Sequence, residues 1–270
     1  MKWGLICKPQ ASNAFDLACR IYDFLSEEGE VYPEKDLASR MEKKKGFLRS
    51  EINEIVDIVV TIGGDGTILY ALEHIDKPIF AINSGGMGFL AEVESKFAFE
   101  GLEKVQSGEY NVVERSKLKV LVDDERLPDA ANEVTVHSSK IAKIAYLRIY
   151  VGGDLIESYG ADGVMVSTST GSTSYALSVG GPLMDPTVPA MIIAPIAPFK
   201  LSARPWIVPV EKTVRIEVVK CDGAKVVVDG ENAVELSPES KIFITQSEKK
   251  ARFVRFGESF YQMVRLKLIR

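Results

Sequence analysis

The densest chemical signal in this 270-residue chain is five consecutive residues, Gly63-Gly64-Asp65-Gly66-Thr67. Glycines let a backbone turn sharply and bring its N–H groups close to a ligand. A helix that starts in such a loop adds unpaired N–H donors and the positive end of its dipole, which suits phosphate. Asp65 would then attract a metal ion or accept a proton from a hydroxyl. The bland reading is a tight strand-to-helix turn in which Asp65 caps the helix. Three glycines around one carboxylate at the C-terminal end of a strand favour the ligand loop, because open α/β sheets bind ligands there. Two rival phosphate patterns fail. The dinucleotide fingerprint G-x-G-x-x-G needs glycine where Leu69 stands and an acidic residue about twenty positions on, where Ser84-Gly85-Gly86 lies. The P-loop pattern is absent. A dehydrogenase and a P-loop enzyme are both disfavoured.

Other reactive residues are sparse. His74 and His137 are the only histidines, and each has a structural reading near the end of an element. Cys7, Cys19 and Cys221 are scattered, with no C-x-x-C, which argues against a disulfide framework or a zinc site. Cys7 and Cys221 read as small hydrophobes in strands. Chemistry therefore rests on carboxylates, backbone amides and a loosely held ion.

The elements that must position the loop alternate strand and helix over the first third. Trp3–Cys7 is apolar. Ala14, Leu17, Ala18, Ile21 and Leu25 have helical spacing, with Asn13 as the expected cap. Val31–Tyr32 is a short strand, and Leu37–Leu48, which is polar and Lys-rich, is a solvated helix or loop. Ile55–Ile62 is a buried parallel strand that stops at the glycine cluster, and Ile68–Leu72 restarts as a helix. Pro78–Ile82 is a further strand and Phe97–Val105 a further helix. This predicts a doubly wound α/β domain. From about Tyr110 the period becomes 2. Leu118, Val120 and Val122 alternate with Lys117, Lys119 and Leu121; Leu147, Ile149 and Val151 run into Gly152-Gly153; Val226–Val228 runs into Asp229-Gly230. Ile242–Thr245 and Phe253–Phe256 continue the series, and a helical stretch, Ser172–Val179, interrupts it. The expected class is α/β plus all-β: an α/β domain over 1–106 and a β-rich, sandwich-like domain over 107–249, with 250–270 returning to the first domain in β-like form.

Composition agrees with a globular chain: 46% hydrophobic and 26% charged residues exclude global disorder. A net charge of −5 gives no global basic field, so no nucleic-acid partner is expected. The apolar run near Met191–Phe199 is broken by prolines and too short to span a bilayer, so no membrane partner is expected. The N-terminus has no signal-peptide pattern, and the expected location is cytoplasmic.

The glycine cluster resembles the signature shared by NAD kinases, diacylglycerol and sphingosine kinases and, more distantly, phosphofructokinases. Three further segments select among them. Asn132-Glu133-Val134 resembles the Asn-Glu motif of NAD kinases. Asp162-Gly163 through Thr170-Gly171-Ser172-Thr173-Ser174-Tyr175, then Ser178 and Gly180-Gly181-Pro182, is similar to the long glycine-rich motif of that family. Asn83–Leu90 resembles its Asn-x-Gly-x-x-Gly-Phe-Leu segment. The four motifs stand in the family's order and the resemblance runs from about Trp3 to Gly230.

The resemblance implies phosphorylation of the adenosine ribose 2′-hydroxyl of NAD to give NADP, with ATP, another nucleotide or polyphosphate as donor and Mg²⁺ or another divalent ion as cofactor. It makes Asp65 the proton acceptor and lets substrate approach over Gly66. Gly63, Gly64, Gly66 and Thr67 form the loop for the phosphoryl donor. Asn132 and Glu133 bind NAD, Glu133 by accepting from ribose hydroxyls. Asp162 takes the nicotinamide end, and Thr173, Ser174, Tyr175 and Ser178 surround the adenine. Lys143, Gly160 and Glu231 stand where the family also contacts the dinucleotide. No metal ligands are assigned. A homodimer or homotetramer is implied, with one dinucleotide touched by two subunits. The chain departs from the family pattern at Tyr70, where a basic residue is common, at Phe199-Lys200, where His-Ser is common, and at Glu231, where the motif has Gln. A lipid kinase with the same glycine loop and a non-catalytic NAD(P)-binding regulator are the competing functions.

Overall fold

The computed structural model describes residues 1–8, 12–43, 45–85, 88–237, 239–257 and 259–269. The chain forms two compact units, Met1–Glu114 with Ala251–Arg270, and Arg115–Lys250.

In the first unit the short apolar runs become parallel strands: β1 (Lys2–Cys7), β2 (Glu30–Pro33), β3 (Ile58–Gly63), β4 (Ile79–Asn83) and β5 (Val93–Glu94). β1 pairs with β2 on one side and β3 on the other, β3 with β4, and β4 with β5, all parallel. β3 is buried along its whole length, as a strand covered on both faces requires. The connections carry helices α1 (Ser12–Ser26), α2 (Lys35–Arg40), α3 (Arg49–Ile55), α4 (Asp65–Leu72) and α5 (Ala98–Gln106). The apolar stripe of α1, from Ala14 to Leu25, packs with Ala98, Leu102 and Val105 of α5 against Trp3, Leu5, Val60 and Phe80 on one sheet face. On the other face α3 lies so close to β1 that a Cβ at Gly4 would stand 2.6 Å from Ile52 Cγ2. The unit is a doubly wound sheet. Asn13 is not the cap expected from sequence, because α1 already begins at Ser12. The polar stretch from Leu37 to Leu48 buries Leu37 and Ala38 in α2, which Glu34 caps by accepting from the Asp36 and Leu37 N–H groups, and its other described residues are partly or fully exposed, as a solvated stretch requires.

The second unit holds strands β6 (Asn111–Val122, whose first residues belong to the first unit), β7 (Glu125–Arg126), β8 (Glu133–Ser138), β9 (Ala145–Val151), β10 (Asp154–Ala161), β11 (Gly163–Thr168), β12 (Ala190–Ile196), β13 (Trp206–Pro209), β14 (Val214–Lys220), β15 (Ala224–Val228), β16 (Glu231–Leu236) and β17 (Lys241–Arg255, whose residues from Ala251 on belong to the first unit and pair with β4 there, Phe253 opposite Ile79). β13-β12-β11-β8-β15-β16 form one antiparallel sheet, and β10-β9-β14-β17 with β6 and β7 form the other. Val134, Val164 and Val226 from the first share a core with Leu118, Leu147, Val214 and Ile242 from the second, which makes the unit a β-sandwich. Gly152-Gly153 joins β9 to β10, and Asp229-Gly230 joins β15 to β16. Both residues of each turn have positive φ, the twist that two-residue hairpins need.

Four local expectations are corrected. Ile242–Thr245 and Phe253–Arg255 belong to a single run, since β17 extends for 15 residues and ends just before Phe256. Beyond it the chain is helical, not β-like: α7 spans Phe260–Leu268. The helix expected over Ser172–Val179 is a 3₁₀ turn, Thr170–Thr173, followed by the short α6 (Tyr175–Ser178). Cys221 lies just past β14, with its thiol 2.8 Å from the Gly223 carbonyl.

Candidate active site

In the first unit the sheet order reverses between β1 and β3, because β2 lies on one side of β1 and β3 on the other. The crevice beyond the C-terminal ends of two such strands is where open α/β sheets bind ligands. Gly63 ends β3 at that point and α4 starts two residues later. A Cβ on Gly63 would lie 2.2 Å from the Thr67 hydroxyl, so the turn closes only without one. Gly64 and Gly66 differ: a Cβ on either would meet nothing within 4 Å. The protein's own packing does not need glycine there, and the loop faces open space.

Asp65 does not cap α4. The cap position is Gly64, which makes no side-chain bond. The Asp65 carboxylate accepts instead from the Phe89 N–H at 2.8 Å through Oδ2 and the Leu90 N–H at 3.2 Å through Oδ1. Gly88 makes this approach possible, since a Cβ there would lie 2.4 Å from Asp65 Oδ1. The side chain is half-buried, and each oxygen keeps a further lone pair for a proton or a cation. The Gly-Phe-Leu part of the Asn83–Leu90 motif is thus the holder of the carboxylate, a role that its sequence did not disclose.

In the second unit Asn132 and Glu133 lead into β8. Asp229, in the β15–β16 turn, accepts the N–H groups of Ala131, Asn132 and Glu133 at 2.7, 2.8 and 3.0 Å. From the other side the Asn132 carbonyl accepts the Thr168 N–H at 2.8 Å and the Ser167 hydroxyl at 3.1 Å. A Cβ at Gly171 would lie 2.4 Å from that carbonyl. The Asn-Glu motif and the start of the long glycine-rich motif are therefore one structure. The Ser174 hydroxyl reaches Glu133. Burial first, and the nearby Asp229 charge second, push the Glu133 carboxyl up to about 7, with the Ser174 hydrogen bond opposing them. Burial also raises Asp229, against its three N–H donors and the Lys117 charge. Asn132 Oδ1, Glu133 Oε2 and Thr170 Oγ1 are buried with no hydrogen-bond partner among the described residues. Such groups are costly unless something else bonds them.

The remaining residues singled out in the sequence separate into two groups. The Thr173 hydroxyl donates to the Thr170 carbonyl at 3.4 Å; Tyr175 begins α6, 43% exposed, and Ser178 ends it, exposed. Glu231 starts β16 beside the Asp229 turn. Asp162, Gly160 and Lys143 are elsewhere. The Asp162 carbonyl accepts the Ser138 N–H, whereas Glu133 pairs with Ser167 at the opposite end of β8. At about 3.4 Å per residue this places Asp162 roughly 17 Å along the strand from Glu133. Gly160 packs on Ile144, next to Lys143. The sequence also missed Lys117. Its place in an alternating pattern suggested an outward side chain, yet it is 1% exposed and its charge acts on Asp229.

Among the described residues no group of three His, Cys, Asp or Glu side chains could hold a metal ion by itself. The half-buried Asp65 offers one carboxylate. That fits Mg²⁺, which commonly takes one or two carboxylates together with substrate phosphates. Among the same residues no helix is long and apolar enough to cross a membrane.

Comparison with known proteins accounts for both units. Residues 3–110 match the ATP-NAD kinase N-terminal domain and residues 131–256 the ATP-NAD kinase C-terminal domain. The chain is 38% identical over 275 residues to an NAD kinase of Thermococcus sibiricus, covering 99% of each, and 40% identical over 278 residues to one of Thermococcus kodakarensis, again covering 99% of each. Among solved structures, an NAD kinase from Archaeoglobus fulgidus in complex with ATP superposes with a TM-score of 0.81 at 30% identity, over 98% of this chain and 99% of the other. A yeast NADH kinase complexed with NADH shares the fold, with a TM-score of 0.92 at 24% identity, over 98% of this chain and 86% of the other. These likenesses favour neither a lipid kinase nor a non-catalytic regulator, and with identity of this level over nearly the whole chain, the protein belongs to the NAD kinase family.

Proposed function

We infer that the protein transfers the terminal phosphoryl group of ATP to the 2′-hydroxyl of the adenosine ribose of NAD, giving NADP and ADP, with Asp65 as proton acceptor. The observation that carries this reading is the Asp65 carboxylate, held by the Phe89 and Leu90 N–H groups at the point where the strand order reverses and flanked by glycines that face open space. The 2′-oxygen bonds to phosphorus, the bond to the leaving ADP oxygen breaks, and the hydroxyl proton passes to Asp65. Phosphoryl transfer depends mainly on positioning and charge stabilisation, so a carboxylate already accepting two hydrogen bonds is base enough. Gly63, Gly64, Gly66 and Thr67 would receive the donor phosphates at the start of α4. A divalent ion bound with those phosphates, with Asp65 as its protein ligand, would supply charge neutralisation.

Asn132, Glu133, Thr173, Ser174, Tyr175 and Ser178 would bind the adenosine part of NAD. The buried, unpartnered oxygens of Asn132 and Glu133 support this, because hydroxyls and an amine of that ligand could bond them. Asp162, Gly160 and Lys143, at the far end of β8, would meet the nicotinamide end or a dinucleotide held by a second subunit of a homodimer or homotetramer. Glu231, beside the Asp229 turn, would add an acceptor where the family has a donor. A cytoplasmic location accompanies this reading.

The test is to incubate the protein with NAD, ATP and Mg²⁺ and to assay NADP with an NADP-specific dehydrogenase. NADP should form, and Asp65→Asn should lower kcat about 10²–10⁴-fold, the usual contribution of a general base. Failure to form NADP with ATP, other nucleotides or polyphosphate would overturn the activity. Near-normal turnover in Asp65→Asn would overturn the role of Asp65.

A further inference from the structure

Asp65 is held by the segment that follows Gly88, and that segment is in turn held by the last residues of the chain. Lys267, in the final turn of α7, donates its ammonium to the Gly88 carbonyl and lies 5.3 Å from the centre of the Phe89 ring. The Gly88 carbonyl and the Phe89 N–H belong to one peptide group. In a trans peptide they point in opposite directions. Lys267 therefore grips one edge of the same plane whose other edge donates to Asp65. Arg255, the last residue of β17, secures the backbone on the far side of the Leu90 N–H, at the Leu90–Ala91 peptide: its Nη2 donates to the Leu90 carbonyl at 2.9 Å, and its Nη1 to Glu92 at 2.8 Å. The Phe256 N–H completes the link by donating to the other Glu92 oxygen at 2.6 Å. The Arg255 and Glu92 side chains are 13% and 4% exposed, so the pair is shielded from solvent.

Apolar packing does little of this work. α7 buries only Val264, and a cavity of about 710 Å³, lined in part by Phe97, Lys104, Phe256, Met263 and Leu266, lies between it and α5. The charged side chains are what tie the C-terminal end to the Asp65 holder.

We propose that Arg255 and Lys267 are positioning residues for Asp65, fixing the backbone on either side of the Phe89–Leu90 segment whose two N–H groups aim its carboxylate at the substrate hydroxyl. The proposal rests on the reading of Asp65 as the proton acceptor. A small misplacement of a catalytic group can cost on the order of 10²-fold in rate without loss of binding. Neither side chain needs to touch NAD or ATP for this.

The experiment uses the full-length protein with Lys267→Met, Arg255→Met and Arg255→Lys. Each is measured for kcat, for KM toward NAD, and for amide hydrogen exchange at Phe89 and Leu90. Lys267→Met and Arg255→Met should lower kcat about 10- to 100-fold, with KM for NAD changed less than about threefold, and should speed exchange at both amides. Arg255→Lys, which keeps a donor, should recover part of the rate. Lys267→Met guards against a folding failure of Arg255→Met, because Lys267 is only partly buried and leaves no carboxylate unpaired in the core. Normal kcat in folded Lys267→Met and Arg255→Met overturns the proposal, whether or not exchange changes, and so does a loss that appears only in KM. The exchange rates report the hold on Phe89 and Leu90 independently of the chemistry. The turnover of Asp65→Ala reports the base independently of the hold, so the two failures are distinguishable.

Discussion

Glu133→Gln is the perturbation whose size the structure gives most directly. Burial and the Asp229 charge raise the Glu133 carboxyl from its ordinary 4.5 to about 7. In the unfolded chain the group ionises near its ordinary value, so between those two pH values the folded state keeps a proton that the unfolded state has lost. A raised value means that stability is fully present below the unfolded pKa and declines as pH rises through the folded one. The shift corresponds to about 3 kcal/mol, at ~1.4 kcal/mol per unit. Glutamine never ionises and follows no such course. The stability of the Gln variant relative to wild type should therefore rise by about 3 kcal/mol between pH 4.5 and pH 8, which is roughly 6–10 °C in melting temperature for a protein of this size. The assay is a pair of thermal melts at half-unit pH steps. The sign also bears on binding. If NAD needs the ionised carboxylate as an acceptor, KM for NAD should increase as pH falls below about 7, and Glu133→Gln should show a high KM at every pH. A melting difference that stays constant from pH 4.5 to pH 8 would refute the reasoning, because a carboxyl indifferent to its burial cannot produce the slope.

Two further substitutions test the glycine loop and the Asp229 turn. Gly66→Ala places a Cβ in open space in the first turn of α4. It should raise stability by about 0.5–1 kcal/mol through helix propensity while lowering kcat/KM by at least tenfold, since the methyl occupies the space over which substrate approaches; a stabilised and fully active variant would contradict the role given to that space. Asp229→Ala removes the acceptor for three N–H groups and the turn residue at φ 49°. It should cost about 1–3 kcal/mol and raise KM for NAD more than it lowers kcat, as measured by denaturant titration and steady-state kinetics; an unchanged KM would mean that the Asn132-Glu133 lead-in holds its shape without it.

What the sequence made legible is what depends on neighbours in the chain. The apolar spacing of α1, the buried run of β3, the period-2 strands and the turns at Gly152-Gly153 and Asp229-Gly230 all follow from residues within one element. The glycine loop was legible for the same reason: Gly63 and Thr67 meet within one turn. Local rules failed where two elements compete for one residue. Asn13 is a good cap, but α1 takes it inside, and the C-terminal residues from Phe260 alternate weakly enough to pass for a strand although they are helical.

The candidate site is least legible where its side chains reach across the chain. Asp65 at the first position of a helix has the composition of a cap, and composition cannot tell whether its oxygens bond the helix's own N–H groups or those of Phe89 and Leu90, 24 and 25 residues on. Asp229 reads as a turn residue because Asp-Gly makes turns. The turn does form, yet the left-handed backbone at Asp229 also directs a buried carboxylate at three N–H groups nearly a hundred residues away. Lys117 reads as the polar member of an alternating strand, and the Asp229 charge, far off in sequence, gives that side chain a reason to be inside. In each case the residue satisfies a cheap local pattern and a second, long-range demand. The local pattern is what a sequence displays. The long-range demand decides the chemistry, because a carboxylate's power to accept a proton or to organise a loop depends on which donors already hold it. That is why Asp65, Glu133 and Asp229 stand in sequence as three similar acids, while in the structure one is half-exposed and aimed, one is buried and raised toward neutral pH, and one is locked into the backbone of its neighbour.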